Sequence, residues 1–293
     1  MEVAVAEYLE VADKIIKRGG PEVSEYEYLK QVPKGIADSS MDEQLEIFNT
    51  LKPILDLDTI VGHMFHKPHG YAGDFELIDR IYCQRNSTNE NLYKWDKFFH
   101  TLEGAEAVRN RTKYFKDLVN KTEEKHGSAL VLNLGSGPCR DLNEYLESVP
   151  ERKVRFECLD MDKTAIEYGE VVCDNYRDQI KFINKNALTF NPDYKYELIW
   201  SAGLFDYFND KIFVRLLRRV YALLTSGGEL VIGNFSTYNP SRTFMEVYGQ
   251  WFLHHRNEET LIELAIQAGI PRELIEVSQE EVGINLFLHL KKV

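Results

Sequence analysis

"LNLGSGPCRD", Leu132 to Asp141, is the stretch whose reading decides how this chain folds. The apolar run from Ala129 to Leu134 predicts a buried strand, and an amphipathic stretch starts at Arg140. Between them Gly135, Ser136 and Gly137 form a tight strand-to-helix turn. Glycines let the backbone turn sharply and come close to a ligand. Exposed amides at a helix start favour a polar or anionic group. Taken alone, such a turn is equally well a plain connection. The next strand, "VRFECLD" (154–160), ends in Asp160. A carboxylate there can accept both hydroxyls of a ribose. Asp162 reads instead as the cap of the following helix.

Downstream, strands and helices alternate. "QIKFINKN", "YELIWSAG" (196–203) and "GELVIGNF" (228–235) read as strands, and "DKIFVRLLRRVYALL" as an amphipathic helix between the last two. That order implies a parallel sheet with helices on both faces. The end of the chain differs. "LIEVSQEE" and "INLFLHLKKV" are separated only by a short polar link, so they are expected to pair antiparallel at the sheet edge. Upstream the period is helical: "VAEYLEVADKIIKR", then "MDEQLEIFNTLKPILDLDTIVGHMF" with a break at Pro53, then "NLYKWDKFFHTLEGAEAVRNRTKYFKDLVNKT", one helix or two with a joint at Gly104. Two domains are expected, a helical cap or lid over 1–125 and a sheet domain over 126–293.

Composition narrows the function. Apolar residues make up 44% and aromatics 12%, enough for a packed core. Acidic residues outnumber Lys and Arg 47 to 35, a net charge of −12, which disfavours nucleic acid or an anionic membrane surface as partner. Cys83, Cys139, Cys158 and Cys173 form no CxxC pair and read as reduced thiols. The N-terminal stretch lacks a basic region followed by an apolar core, and no apolar run approaches the roughly 20 residues of a membrane span. A soluble cytoplasmic protein without stable membrane insertion is expected. His63, His66 and His69 recur every three residues, but Pro68 and Gly70 interrupt the helix and no acid or cysteine joins them at a ligand spacing, so no metal site is expected.

The glycine turn and Asp160 suit two cofactors. A nicotinamide dinucleotide calls for GxGxxG, and its third glycine position holds Arg140. S-adenosylmethionine carries no pyrophosphate and does not need that glycine. With "INKNALTF", "YELIWSAGLFDYF" and "LLTSGGELVIGNF" following in order, residues from about 125 to 293 resemble class I S-adenosylmethionine-dependent methyltransferases. The resemblance implies a Rossmann-like seven-stranded sheet, mostly parallel with an antiparallel C-terminal pair. It also implies cofactor contacts from Gly135, Ser136, Gly137 and Arg140, from Asp160 and Met161, and from Asn186 and Ala187 beside the adenine. Ser201, Ala202 and Gly203 at the end of the fourth strand complete that set. Cys139 departs from the family, which often has a third glycine there, and Asn186 stands for an acid.

"KPHGYAGDFELI", "SAGLFDYF", "GNFSTYNPSRTFMEV" and "HHR" further resemble a bacterial methyltransferase group tied to making 3-hydroxypalmitic acid methyl ester. This implies a small-molecule acceptor, a carboxylate or hydroxyl such as that of a hydroxy fatty acid. N-methylation and a non-catalytic cofactor-binding protein remain open. Strand ends face the ligand crevice, so Asp206 and Tyr207 are candidate catalytic groups with His255, although Asp206 also reads as a helix cap. Phe205, Tyr238, Arg242 and Arg256 are candidate substrate contacts, the last two as carboxylate clamps or as arginines paired with the chain's many acids. Arg109 or Arg111, on the helix leading into the sheet, could meet the cofactor's methionyl carboxylate or simply be solvated. Tyr71, between Gly70 and Gly73 at a helix junction, is expected to contact cofactor or substrate.

Overall fold

The computed structural model describes residues 5–37, 39–148 and 153–293. Residues 1–4, part of the N-terminal stretch read above, and Val149, the expected end of the helix that starts at Arg140, lie outside them. The helices and strands, in chain order, are α1 (Val5–Lys17), α2 (Tyr26–Ala37), α3 (Met41–Leu51), α4 (Ile60–His66), α5 (Phe75–Tyr82), α6 (Tyr93–Phe99), α7 (Glu103–His126), β1 (Ala129–Leu134), α8 (Arg140–Ser148), β2 (Val154–Asp160), α9 (Lys163–Val172), β3 (Ile180–Asn184), β4 (Tyr196–Ser201), α10 (Asp210–Tyr221), β5 (Leu224–Phe235), α11 (Arg242–Val247), α12 (Glu258–Gln267), β6 (Ile275–Gln279) and β7 (Asn285–Lys291). Pro53 does end a helix: it lies in a 3-10 turn directly after α3. The long helical stretch is two helices, α6 and α7, with Gly104 in the first turn of the second.

The chain forms two compact units, and their bounds differ from those expected from pattern. One comprises 1–106 and 239–252, the other 107–238 and 253–293. The segment 239–252 belongs with the helices because its aromatic side chains complete their core. The Tyr248 and Tyr8 hydroxyls bond at 2.8 Å, and the Phe244 ring lies 5.9 Å from Phe98. Gly249 passes so near Met64 that a Cβ would fall 2.3 Å from its sulfur.

In the second unit a seven-stranded sheet has the order β3-β2-β1-β4-β5-β7-β6. β1 to β5 run parallel, and β7 pairs antiparallel with both β5 and β6. The closing strands thus form the expected antiparallel edge pair. Alternate side chains point to opposite faces of a strand. Leu132, Leu134, Ile199, Leu230 and Ile232 pack with α10 and α12 on one face. Val131, Leu198, Trp200, Val231 and Phe287 pack with α8 and with Phe115, Leu118 and Val119 of α7 on the other. Both faces being covered explains why the central strands read as continuous apolar runs. The strand order reverses between β1 and β4, which places a crevice outside their carboxyl ends.

Among the described residues no helix is long and apolar enough to cross a membrane. All four cysteines are free.

Candidate functional site

The turn after β1 is built by its glycines. Gly135 and Gly137 take φ of +68° and +52°, a left-handed region that side chains disfavour. The amides of Gly135 and Ser136 donate to the Leu159 carbonyl at 2.8 and 3.1 Å, tying the turn to the end of β2. A Cβ on Gly135 would lie 2.9 Å from Leu204 Cβ, whereas one on Gly137 would meet nothing within 4 Å. One glycine therefore packs against the loop after β4, and the other borders open space.

Asp160 closes the same turn from β2. One carboxylate oxygen accepts from the Gly137 amide and the other from the Asp162 amide, both at 3.0 Å. Burial raises its pKa, and those amides pull it back. Each oxygen keeps lone pairs for a ribose hydroxyl. Asp162 caps α9 through the Thr164 amide, as read from sequence. Met161 is 69% exposed beside Asp160, an apolar side chain presented outward. The Asn186 side-chain carbonyl already accepts from the Leu188 amide at 2.8 Å, so the local turn orients it, and Ala187 is half-buried against the sheet core. Arg140 starts α8.

At the end of β4 several expected contacts turn inward. The Ser201 hydroxyl is fully buried and donates to the Leu134 carbonyl at 2.8 Å, so its side chain joins the ends of β1 and β4. Phe205 is fully buried with its ring 4.9 Å from Phe213, which makes it core and not a substrate-lining residue. Asp206 is also buried, and its carboxylate accepts from the Phe235 amide at 2.7 Å. It is not the helix cap, because Asn209 caps α10 through the Ile212 amide. Burial pushes its pKa up to about 7, while Arg111, the Phe235 amide and Arg256 pull it back. Tyr207 is 37% exposed. Ala202 and Gly203 lie half-buried between them.

Of the two candidate clamp arginines, Arg256 is not available as drawn from sequence. Arg256 is buried; its guanidinium bonds Asp210, Asn234 Oδ1 and the Phe208 carbonyl, and it stacks on Phe213. It braces the loop after β5. Arg242 pairs with Glu246 one turn along α11 in the helical unit. Tyr238 is 69% exposed just beyond β5, and His255 is half-buried with its ring 6.0 Å from Phe235. Tyr71 lies half-buried in the helical unit, in the turn between α4 and α5 where Gly70 and Gly73 take positive φ and Asp74 caps α5. The three nearby histidines each have their own partner: His63 pairs with Asp74, His66 with the Leu55 carbonyl, His69 with Glu76. Among the described residues no cluster of His, Cys, Asp and Glu could hold a metal ion.

Arg111 is the residue that sequence reading underweighted. It is 4% exposed on α7, with Nε donating to Asn285 Oδ1 at 2.8 Å and the guanidinium 5.1 Å from the Phe235 ring centre. Its Nη2 is buried without a hydrogen-bond partner. The signal was its position in an otherwise buried stripe, Val108, Arg111, Phe115, Leu118, where a cation is out of place. Ser136 Oγ in the glycine turn is likewise buried without a partner.

A separate cavity of about 290 Å³, lined by residues including Tyr194, Lys195 and Arg219, lies beside the start of β4, away from its carboxyl end.

Residues 131–228 match the model of a methyltransferase domain. With the sheet order and the glycine turn, that makes the second unit a class I S-adenosylmethionine-dependent methyltransferase domain. The chain is similar to malonyl-[acyl-carrier protein] O-methyltransferase 1 of Ilyobacter polytropus, 29% identical over 149 residues, which are 49% of this chain and 52% of that protein. It thus spans about half the length of the curated relative it matches. A possible exported protein from Bordetella parapertussis has a similar fold over 99% of this chain and 97% of its own, with TM-score 0.64 and 14% identity. A putative O-methyltransferase from Nostoc punctiforme is similar over 64% of this chain and 57% of its own, with TM-score 0.53 and 13% identity. S-adenosylmethionine is the cofactor, and the residues fit it. The face above Gly137 is open, Asp160 has acceptor capacity left, and two buried polar atoms, Ser136 Oγ and Arg111 Nη2, have no partner among the described residues.

Proposed function

We propose that this chain transfers the methyl group of S-adenosylmethionine to an oxygen of a small acid, a carboxylate such as that of a hydroxy fatty acid. The observation that carries this reading is the state of Asp206. The acid that directly follows β4 is buried and fastened to the Phe235 amide, so it is poorly placed to take a proton from an acceptor. An acceptor already ionised at neutral pH needs no base, whereas a hydroxyl or a protonated amine does. The name of the Ilyobacter relative, an O-methyltransferase of malonyl-[acyl-carrier protein], supports an acidic acceptor.

Bound S-adenosylmethionine supplies an electrophilic methyl group on a sulfonium. The chain's own part is alignment and exclusion of water. The glycine turn and Asp160 hold the nucleoside end, and Tyr207 and Tyr238 are exposed for contact with an acceptor. Alignment of this kind lowers a barrier by about 7–11 kcal/mol in the best model systems. A hydroxyl or amine acceptor, with Tyr207 or His255 moving the proton, is the second reading, and Tyr207's 37% exposure favours it over any role for Asp206.

The test uses cofactor labelled on the methyl group, offered with fatty acids, hydroxy fatty acids, dicarboxylic acids, phenols and amines. A carboxyl methyl ester releases labelled methanol in mild base, whereas an ether or N-methyl product does not. Base-labile label on an acid supports the proposal. Base-stable label transfers it to the second reading. Cofactor binding without turnover across a metabolite extract would mark a non-catalytic binding protein.

A further inference from the structure

Arg111 poses a physical problem. A guanidinium removed from water is costly unless it is paired and its donors are satisfied. Here Nε is satisfied by Asn285 and the Phe235 ring lies against the plane, yet Nη2 has no partner. Asp206 does not complete it. The position a Cβ would take on Gly203 lies 2.8 Å from Arg111 Nη1 and 3.6 Å from Asp206 Oδ2, so these two groups flank the same glycine, and they do so without an ion pair. Asp206 has its other oxygen on the Phe235 amide. A cation with a vacant donor and an acid beside it, both buried, stand directly behind Gly203 at the end of β4.

That place is where an anion is due. Asp160 marks the ribose at the end of β2, and Gly135 and Gly137 line the end of β1. β4 is the next strand along, two strand spacings or about 10 Å from β2. A cofactor laid across these ends from its ribose brings its aminobutyrate arm, with its single carboxylate, to β4. Gly203 has no side chain to stand between that carboxylate and Arg111.

We infer that Arg111 receives the methionyl carboxylate of the cofactor and that Asp206, the acid beside it, gives up its charge when this carboxylate arrives, so that cofactor binding carries a proton into the protein. The inference rests on the methyltransferase reading and names a residue pair within that site. A second carboxylate beside Arg111 raises the proton affinity of Asp206. The groups facing Asp206 are few. Arg111 faces it from α7, the Phe235 amide from β5, and Arg256 from the loop before α12 with much of its charge taken by Asp210. Asp206 titrates near pH 7 before the ligand arrives, so at that pH it is about half ionised and able to take up about half a proton. Affinity therefore falls as pH rises through 7.

The experiment is calorimetry of the whole chain with S-adenosylmethionine and, separately, with 5′-methylthioadenosine, which keeps the adenosine and lacks the carboxylate. Each titration is run at pH 7 in two buffers of different ionisation enthalpy, which reads the protons taken up. Wild type is expected to take up about half a proton with S-adenosylmethionine and none with 5′-methylthioadenosine. Asp206→Asn abolishes the uptake; the cofactor's own amino group is present in both proteins and cancels in that comparison. Arg111→Met weakens S-adenosylmethionine about 10- to 100-fold, the range for a charge-assisted bond, and leaves 5′-methylthioadenosine within about twofold. If wild type takes up no proton, or Arg111→Met weakens both ligands alike, the inference is overturned. The amino group that 5′-methylthioadenosine lacks can take up at most about 0.2 proton at pH 7, so a wild-type difference of about half a proton between the two ligands decides the matter even where a variant fails to fold. Failure of S-adenosylmethionine to bind wild type at all would instead sink the methyltransferase reading.

Discussion

Placing a methyl group on each glycine of the turn separates packing from binding. Gly137→Ala puts a Cβ where nothing lies within 4 Å, so the folded protein suffers no overlap. It does suffer the backbone conformation. At φ +52° an L-residue costs about 1–2 kcal/mol, and stiffening the unfolded chain offsets about 0.5 kcal/mol of that. A net loss of about 1 kcal/mol lowers Tm by about 2–4 °C for a unit of this size. Gly135→Ala has the same conformational cost at φ +68° plus a contact of 2.9 Å with Leu204 Cβ. Overpacking adds about 1–3 kcal/mol, so this variant loses about 2–4 kcal/mol and roughly 5–15 °C. Binding runs the other way. The added methyl on residue 137 occupies the open face where the cofactor approaches the backbone, and S-adenosylmethionine affinity should drop at least about tenfold. Scanning fluorimetry and calorimetry on both variants give the two readouts. Gly137→Ala with wild-type affinity, or Gly135→Ala as stable as Gly137→Ala, refutes the assignment of the open face.

Two other outcomes follow from the same contacts. Arg256→Met leaves Asn234 Oδ1 and the Phe208 carbonyl without their donor, and urea unfolding should show a loss of about 1–3 kcal/mol while cofactor affinity in the folded fraction stays put; weakened acceptor binding at unchanged stability would restore its substrate role. Asp141, buried against the Trp200 indole nitrogen, has its pKa pushed up to about 6 by burial. Because the folded form holds its proton more tightly, its contribution to stability is full below about pH 4 and is lost as pH rises to about 6, on the order of 3 kcal/mol; Asp141→Asn should flatten that slope in urea unfolding from pH 4 to 7, and an unchanged slope would contradict it.

What could be read from the sequence was whatever local pattern determines. β1, its glycine turn and Asp160 are each set by neighbours a few positions away, and the structure has them where period and composition put them. Side-chain direction at strand ends was not legible, because distant partners decide it. Ser201 turns to Leu134, 67 positions earlier, and Arg256 is claimed by Asp210, 46 positions earlier. A strand-end position alone told only that these residues were near the crevice. The place of 239–252 was hidden for the same reason, since its apolar residues find their partners among helices that end at residue 106. Arg111 was visible only as an anomaly in an apolar stripe, and its vacant donor needed coordinates.

The divided make-up of the helical unit sets an order of events during synthesis. Its first piece leaves the ribosome by residue 106, but Tyr248, Phe244 and the Ser241 hydroxyl that binds the Gly104 amide arrive only with 239–252. At 5–20 residues per second that delay is roughly 10–30 s. For that interval Tyr8, Phe98 and Phe99 are on a nascent chain with part of their core missing. The portion made first is thus completed late, after β1 to β5 have emerged. Ribosome-bound chains stalled before residue 239 should be cut in their N-terminal half by protease far faster than the finished molecule.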